Sequence, residues 1–270
     1  MIMNKRILYT AISALFLMTF AACTNDDDSF TSMTKGEVRF SVVDTTQVGI
    51  ETKAITGLDV NNFNVALSRN GQWVFSSRKY KEIAGVPIPC EATSGYVATV
   101  ESCTEEEAER ANNGWGQVRV AGSKEFTVKA GSPTDVEIRC ALANTSVSVA
   151  FSPFIERTFE SYAITMYAAD NAERRVTFNQ NNHSYKTAYF NVSTAKRALQ
   201  YTASFMLPGA KEPHTYVADL TLEPSSSYQV TVKLANESQA KLSIEIKANG
   251  ELVREEVLNE LINPYENKNE

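Results

Sequence analysis

Apolar and polar residues alternate with a period of two along most of the chain. The runs from Phe63 to Leu67, from Val136 to Leu142 and from Tyr228 to Leu234 place an apolar side chain at every second position. Successive side chains of an extended strand point to opposite faces of a sheet. The pattern therefore predicts β-strands with one buried face.

Further strands are predicted from the same pattern, and they account for much of the remaining chain. They lie at residues 37–43, 73–80, 96–101, 125–129, 146–151, 162–167, 199–207, 216–222 and 242–247. Asn70-Gly71 and Asn249-Gly250 each separate two strand-like runs, and Asn-Gly is the strongest short hairpin signal. Many short strands joined by such turns predict an all-β fold built of β-sandwiches.

Helix is predicted in few places. Thr104 is followed three residues later by Glu107, and this capping-box sequence predicts a short helix that runs through Arg110 and ends near residue 113. The segment 255–262 permits either a second helix or a strand, because its apolar residues fit both periods.

The chain divides best into two domains near residues 142–144. Two strand-like runs meet there with only a brief polar break, which leaves little linker. We therefore predict an N-terminal β-sandwich over residues 36–143 and a C-terminal β-sandwich, with its C-terminal segment, over residues 144–270. A junction without a long linker favours a rigid rod over two independently moving modules.

The first residues have the pattern of a bacterial lipoprotein leader. Lys5 and Arg6 precede an apolar run over residues 7–20, and the small residues before Cys23 form a cleavage site. The apolar run is shorter than the roughly 20 residues that a membrane-spanning helix needs. We therefore predict a signal peptide over residues 1–22 and a lipid on Cys23 that anchors the protein in the outer membrane.

An acidic cluster follows the lipidation site directly. Asp26, Asp27 and Asp28 resemble the export signal that directs lipoproteins of Bacteroidota to the outer face of the outer membrane. This resemblance implies a protein exposed at the cell surface. A run of like charges is also typical of a solvated segment, and we expect residues 23–35 to form a flexible tether.

Charge excludes one class of partner. The chain carries a formal net charge of −6, and removing Lys5 and Arg6 with the leader brings the charge to −8. A protein of this charge repels a phosphate backbone, so no nucleic-acid partner is expected. The hydrophobic fraction of 43% suffices for the cores of two domains.

Residues that could carry catalysis are sparse. His183 and His214 are the only histidines, and no zinc-protease motif, nucleophile elbow or phosphate-binding glycine loop is present. Cys90 and Cys103 flank a predicted turn and could pair, whereas Cys140 alternates with strand residues and is expected in the core. We expect no enzyme activity, no cofactor and no metal site.

Several strand and turn phrases resemble those of the fimbrillin-like lipoproteins of Bacteroidota. The phrases lie at residues 36–42, 52–54, 60–65, 95–100, 122–131 and 136–144. The resemblance covers most of residues 36–250 and includes no catalytic signature. It implies two tandem transthyretin-like β-sandwich domains and a role in adhesion or in fimbriae, as a pilus subunit, an anchor or a tip.

The resemblance also implies a mechanism of assembly. In characterised fimbrillins a protease removes the N-terminal strand after an arginine, and a strand of the next subunit fills the vacated groove by β-strand addition. Arg39 is the candidate for such a cut, although it also fits a solvent-facing strand position. The segment 252–265 is the candidate donor. Other fimbrial subunits, or ligands on host or bacterial surfaces, are the expected partners.

A carbohydrate-binding surface lipoprotein that supports glycan uptake is the alternative function. Sugar sites need exposed aromatic rings beside polar groups, and Trp73, Tyr80 and Trp115 are the candidate contacts. Trp73 alternates with Phe75 after a hairpin turn, so we expect it to face the core. Trp115 lies between two glycines in a predicted loop, and its exposure beside other rings would favour glycan binding.

Overall fold

The computed structural model describes residues 34–45, 58–192, 195–236 and 241–258. The predicted signal peptide, the lipidation site Cys23 and the acidic residues Asp26, Asp27 and Asp28 lie outside the described residues. So do most of the predicted tether and the end of the candidate donor segment. No helix among the described residues has the length and hydropathy that a membrane span requires.

β-Strands make up most of the described chain and confirm the predicted all-β fold. They pair into a seven-stranded, a four-stranded and a five-stranded sheet. In chain order the strands of the described residues are β1 (Lys35–Asp44), β2 (Asn64–Arg69), β3 (Gln72–Lys79), β4 (Ile88–Glu91), β5 (Tyr96–Glu101), β6 (Val120–Phe126), β7 (Pro133–Leu142), β8 (Thr145–Phe151), β9 (Ser161–Ala168), β10 (Asn171–Asn179), β11 (Ala188–Phe190), β12 (Arg197–Met206), β13 (His214–Leu222), β14 (Ser227–Asn236), β15 (Lys241–Ala248) and β16 (Glu251–Val257).

Short helices lie between these strands: α1 (Tyr80–Ile83), α2 (Glu105–Arg110) and α3 (Pro153–Thr158). α2 begins as the sequence predicts. The Thr104 hydroxyl oxygen accepts a hydrogen bond from the Glu107 backbone N–H at 3.2 Å, and the Glu107 carboxylate accepts one from the Thr104 backbone N–H at 2.9 Å. This reciprocal pair is the predicted capping box, and a 3-10 turn at Asn112–Gly114 follows the helix.

Both predicted Asn-Gly hairpins are present. Asn70 and Gly71 have φ angles of 49° and 80°, and Asn249 and Gly250 have φ angles of 51° and 88°. A positive φ at both central residues is the turn geometry that matches the twist of paired strands. These turns join β2 to β3 and β15 to β16.

The seven-stranded sheet folds over on itself around one hydrophobic core. Its strand order is β3-β2-β5-β6-β7-β1-β4, and β7 pairs with β6 only at its end, where Leu142 lies opposite Val120. The preceding part of β7 pairs with β1. Val65 of β2 and Ile138 of β7 belong to the same buried cluster. β7 therefore carries the chain from one layer of the fold to the other.

The other two sheets enclose a second hydrophobic core. Their strand orders are β10-β9-β12-β13 and β11-β8-β14-β15-β16. Phe205 of β12 and Val230 of β14 are buried in the same cluster, which joins side chains from both sheets. Two sheets that share one core in this way form a β-sandwich.

The strand order of the first half of the chain recurs in the second half. The order β10-β9-β12-β13 repeats β3-β2-β5-β6, and β11-β8-β14 repeats β4-β1-β7. In each half the first strand is parallel to the seventh, β1 to β7 and β8 to β14. The hairpin of β15 and β16 has no counterpart among the described residues of the first half. The division into domains at residues 143 and 144 stays a prediction, which this repeat supports.

Several strands differ from the predictions. β6 occupies Val120–Phe126 and not the predicted 125–129, and the sequence pattern does not predict β4, β10 or β11. β4 and β11 are short, whereas β10 has nine residues and buries Val176 and Phe178. β16 covers the beginning of the C-terminal segment, for which the sequence permits either a helix or a strand. Almost all of its side chains are exposed, so its sequence carries little of the alternation from which strands are recognised.

Candidate functional site

The first strand, β1, lies between two neighbours of opposite direction. It pairs in parallel with β7 from Glu37 opposite Pro133 to Asp44 opposite Cys140. It pairs antiparallel with β4 only over its beginning, from Lys35 opposite Glu91 to Val38 opposite Ile88. The slot that β1 fills is therefore bounded by two strands in its first half. In its second half it is bounded by β7 on one side and by a single bridge from Phe40 to Ala84 on the other.

The buried face of β1 belongs to the core. Val38 is 0% and Phe40 is 3% exposed, while the residues that alternate with them are exposed. Gly36 approaches the chain at Lys129 so closely that a Cβ atom would lie 2.2 Å from the Lys129 carbonyl oxygen. Only glycine allows this approach, so the sequence of β1 is shaped to the slot.

Arg39, the predicted processing site, lies on the exposed face of β1 opposite Asp135 in the register with β7. A cut between Arg39 and Phe40 would separate residues 35–39 from residues 40–44. The first part carries every pair between β1 and β4, whereas the second part pairs with β7 and has one further bridge, from Phe40 to Ala84. The position of Arg39 thus coincides with the point where the pairing between β1 and β4 has ended.

The last described strand, β16, is the edge of the five-stranded sheet. Leu252 and Val253 are each 56% exposed and Val257 is 48% exposed. An edge strand with free main-chain groups and exposed apolar side chains is a template for pairing with another chain. Within the described part of the chain, this portion of the predicted donor segment is consequently an edge strand that is paired on one side, with β15.

Two tyrosines of the four-stranded sheet form hydrogen bonds with β16. The hydroxyl groups of Tyr201 and Tyr216 donate hydrogen bonds to the Glu256 carboxylate at 2.9 and 2.8 Å. Burial, followed by the neighbouring Tyr216, raises the pKa of Tyr201 to about 12. The Tyr201 hydroxyl group is therefore protonated when it donates to Glu256.

The three aromatic residues predicted as glycan contacts lie in different settings. Trp73 is 63% exposed on β3, contrary to the expected inward orientation, because β3 is an edge strand whose residues are almost all exposed. Tyr80 begins α1 and packs partly buried against the first core. Among the described ring contacts, none joins any two of Trp73, Tyr80 and Trp115. They therefore do not form one stacking surface.

Trp115 lies between the two halves of the chain. Its ring meets Phe178 edge-on with ring centroids 4.9 Å apart, and Lys186 Nζ lies 5.4 Å from the centroid of the same ring. The Trp115 carbonyl oxygen accepts a hydrogen bond from the Tyr189 backbone N–H at 2.8 Å. These contacts are made by residues far away in sequence, so no local pattern could reveal them.

A buried asparagine completes this junction. Asn144 is 0% exposed, its side-chain oxygen accepts from the Arg119 backbone N–H at 3.1 Å, and its side-chain nitrogen donates to the Gln117 carbonyl at 2.7 Å. Buried polar groups that are fully satisfied hold one arrangement. Asn144 lies at the predicted boundary, but its role depends on partners that are distant in sequence.

The cysteines contribute packing. Cys90, Cys103 and Cys140 are free and buried, so the pairing considered for Cys90 and Cys103 does not occur. Cys140 lies in the first core as expected, and burial raises the pKa of its thiol to about 11. The described residues contain no cluster of His, Cys, Asp and Glu side chains suited to a metal ion.

Comparisons with known proteins place the chain in a family. Solved structures similar to it include a fimbrial assembly protein from Parabacteroides distasonis, with 11% identity, 83% of this chain and 98% of that chain covered and a TM-score of 0.47. The fimbrial anchor protein Mfa2 from Porphyromonas gingivalis is 11% identical, with 82% of this chain and 100% of that chain covered and a TM-score of 0.36. No curated protein matches the chain. A family model described as a domain of unknown function, DUF4493, matches residues 34–264, and the chain therefore belongs to the DUF4493 family.

Proposed function

We propose that the protein is a fimbria-associated adhesion protein of the cell surface that joins other subunits by β-strand addition. The observation that carries the proposal is the placement of β1 in a slot between β7 and β4, with Arg39 directly after the last residue that pairs with β4. The sequence resemblance to fimbrillin-like lipoproteins supplies the fimbrial context.

Removing residues 35–39 would leave a vacancy that another strand can fill. The main-chain groups of β4 that pair with β1 would lose their partners, and the pocket of Val38 would open. An added strand would recover these main-chain hydrogen bonds and bury one apolar side chain, which stabilises by about 1.5–3 kcal/mol. The antiparallel neighbour β4 and the parallel neighbour β7 would fix the direction of the added strand, and the pocket of Val38 would fix its register.

Processing at Arg39 would also release the protein from the membrane. The lipid predicted on Cys23 lies on the N-terminal side of the cut, so cleaved protein keeps no anchor of its own. Uncleaved protein keeps both its anchor and a filled slot. The two states correspond to an assembled subunit and to an anchor or monomeric surface protein.

An immunoblot of unboiled envelope extract in detergent, with N-terminal sequencing of the mature protein, tests the proposal. We expect a ladder of high-mass species whose N-terminus is Phe40. Arg39→Gln should abolish the ladder, whereas Arg139→Gln, which changes an exposed arginine on the adjacent strand β7, should keep it. A single monomer band with a lipidated Cys23 in the unaltered protein would refute strand addition after cleavage.

The glycan-binding alternative based on Trp73, Tyr80 and Trp115 is not supported by a common surface. Trp115 is engaged by Phe178 and Lys186, and Tyr80 packs against the core. A single exposed tryptophan on an edge strand is common on protein surfaces and does not define a sugar site. We therefore do not propose a function for this aromatic set.

A further inference from the structure

A polar cleft of about 780 Å³ lies where α2 faces the second half of the chain. Its volume is within the range of about 300–1,000 Å³ typical of ligand sites. The described residues that line it come from α2 and the turn after it, from the beginning of β10, and from the chain before and at the beginning of β12. Five of them are carboxylates and four are cations: Glu105, Glu106, Glu109, Asp170 and Glu173, and Arg110, Arg174, Lys196 and Arg197.

Arg174 stands out among the cations of this cleft because it is buried. Its side chain is held by two contacts: Nη2 donates to the Tyr189 carbonyl oxygen at 2.5 Å, and the guanidinium lies 4.7 Å from the centre of the Phe190 ring. The residue is only 6% exposed, and its Nε and Nη1 atoms have no hydrogen-bond partner in the described part of the chain. Leaving buried, charged donors unpaired is costly.

Arg197, a partly buried cation of the cleft, is neutralised within the protein. Arg197 pairs with Glu109 and with Asp170, the latter at 3.1 Å. Arg174 forms no ion pair with a described carboxylate, and although burial lowers its pKa, a guanidinium remains protonated in proteins. The side-chain oxygen of Asn191, which also lines the cleft, is likewise without a partner. The lining residues Arg174 and Asn191 therefore carry unpaired donors and an unpaired acceptor, whose atoms are buried at the floor of the cleft.

We infer that this cleft binds an acidic saccharide, whose carboxylate pairs with Arg174 and whose hydroxyl groups bond to the surrounding polar side chains. A carboxylate is the group whose planar oxygens match a guanidinium. The lining mixes carboxylates, amides and cations, so a ligand there must both donate and accept hydrogen bonds. Hydroxyl groups do both. A peptide is a poorer match, because peptide grooves rely on apolar pockets or on an open strand edge.

The charge of the lining limits the ligand further. The five carboxylates outnumber the four cations, so a densely charged polyanion is repelled. One carboxylate on an otherwise neutral sugar pairs with Arg174 and is repelled less than a densely charged polyanion. The expected ligand is therefore a uronic or sialic acid residue within a saccharide.

This site is separate from the slot of β1. None of the cleft residues belongs to β1, β4 or β7, so binding at the cleft and strand addition can fail independently. The inference therefore goes beyond the proposed function and adds a ligand class to it.

Titration of the purified protein by NMR tests the inference. The probes are the methyl glycosides of glucuronic acid, galacturonic acid and N-acetylneuraminic acid, with methyl glucoside and methyl galactoside as neutral controls. We expect at least one acidic glycoside, and neither neutral one, to shift the resonances of α2 and of residues 170–174 and 195–197. If none of the three acidic glycosides binds, or if the shifts map elsewhere, the inference is overturned.

Two neighbouring arginines on β10 provide a matched pair of variants. Arg174→Gln should weaken binding by at least about tenfold, because a charge-assisted hydrogen bond is lost. Arg175→Gln removes the same charge from the opposite, exposed face of the strand and should leave the affinity unchanged. Equal affinities of the two variants would refute the role of Arg174.

A third variant covers the case in which Arg174→Gln fails to fold. Arg110 lies at the exposed rim of the cleft, where its side chain is 79% exposed and pairs with Glu106. Arg110→Gln should fold normally and weaken binding by about two- to fivefold, as expected for a screened surface charge. Unchanged affinity in Arg110→Gln, together with unchanged shifts at α2, would contradict binding in this cleft.

Discussion

Replacing Phe40 with alanine tests whether the core holds β1 in its slot. The Phe40 side chain is 3% exposed and meets Phe126 edge-on, with ring centroids 6.3 Å apart. Truncating a buried phenylalanine costs about 3–5 kcal/mol, because transfer free energy is lost and a cavity remains. We expect the free energy of unfolding in urea, followed by circular dichroism, to fall by this amount.

Ser41→Ala is the control for this experiment, because Ser41 is the next residue along β1 and lies on its exposed face. A surface substitution of this kind should change the free energy of unfolding by less than about 0.5 kcal/mol. Hydrogen exchange adds a local measurement: the amides of β1 and β4 should exchange faster in Phe40→Ala. If Phe40→Ala lowers the free energy of unfolding by less than about 1 kcal/mol, β1 is not held by the core, and the slot loses its role in assembly.

Three further predictions concern other contacts. Gly36→Ala should destabilise the protein by about 1–3 kcal/mol in urea, because its Cβ would meet the Lys129 carbonyl oxygen at 2.2 Å and β1 would have to shift; an unchanged midpoint would contradict the close approach. The backbone N–H of Thr104 lowers the pKa of Glu107 below its ordinary value of 4.5, so this contribution to stability is present above that value and is lost as the pH falls; Glu107→Gln should reduce the acid sensitivity of unfolding. The pKa of Tyr201 is raised from 10.0 to about 12, so its contribution to stability is complete below pH 10 and is lost as the pH rises towards 12. In an ultraviolet titration, Tyr201→Phe should remove one tyrosine that ionises late; an unchanged number of late-ionising tyrosines would contradict this.

The alternating pattern predicts those strands that bury one face. β5 has the predicted bounds, Tyr96–Glu101, because Tyr96, Ala98 and Val100 all enter the core. The same pattern misplaces Trp73, since alternation shows that two faces differ but does not show that a strand lies at the edge of its sheet. Strand order depends on contacts that are distant in sequence, and a single sequence does not show them.

The candidate sites show the same limit. Arg39 could be placed on an exposed strand face from its neighbours, but the register that places it where the pairing with β4 ends depends on β4 and β7. Arg174 could not be found at all, because the residues that bury it, such as Tyr189 and Phe190, follow on another strand. Its sequence context, beside Glu173 and Arg175, is that of an ordinary polar segment.

The repeated strand order gives the proposed assembly a direction. β8 occupies in the second half the position that β1 occupies in the first, parallel to the seventh strand of its half. β8 follows β7 through Ala143 and the buried Asn144, so a cut before it would divide the chain at its junction, whereas a cut in β1 removes only the N-terminal end. Among the described residues, the second half alone carries an additional hairpin, whose last strand, β16, is paired on one side. The slot of β1 and the edge of β16 are different surfaces, so the contact that we propose between subunits would be head-to-tail, and such contacts extend into a filament where the rotation does not close.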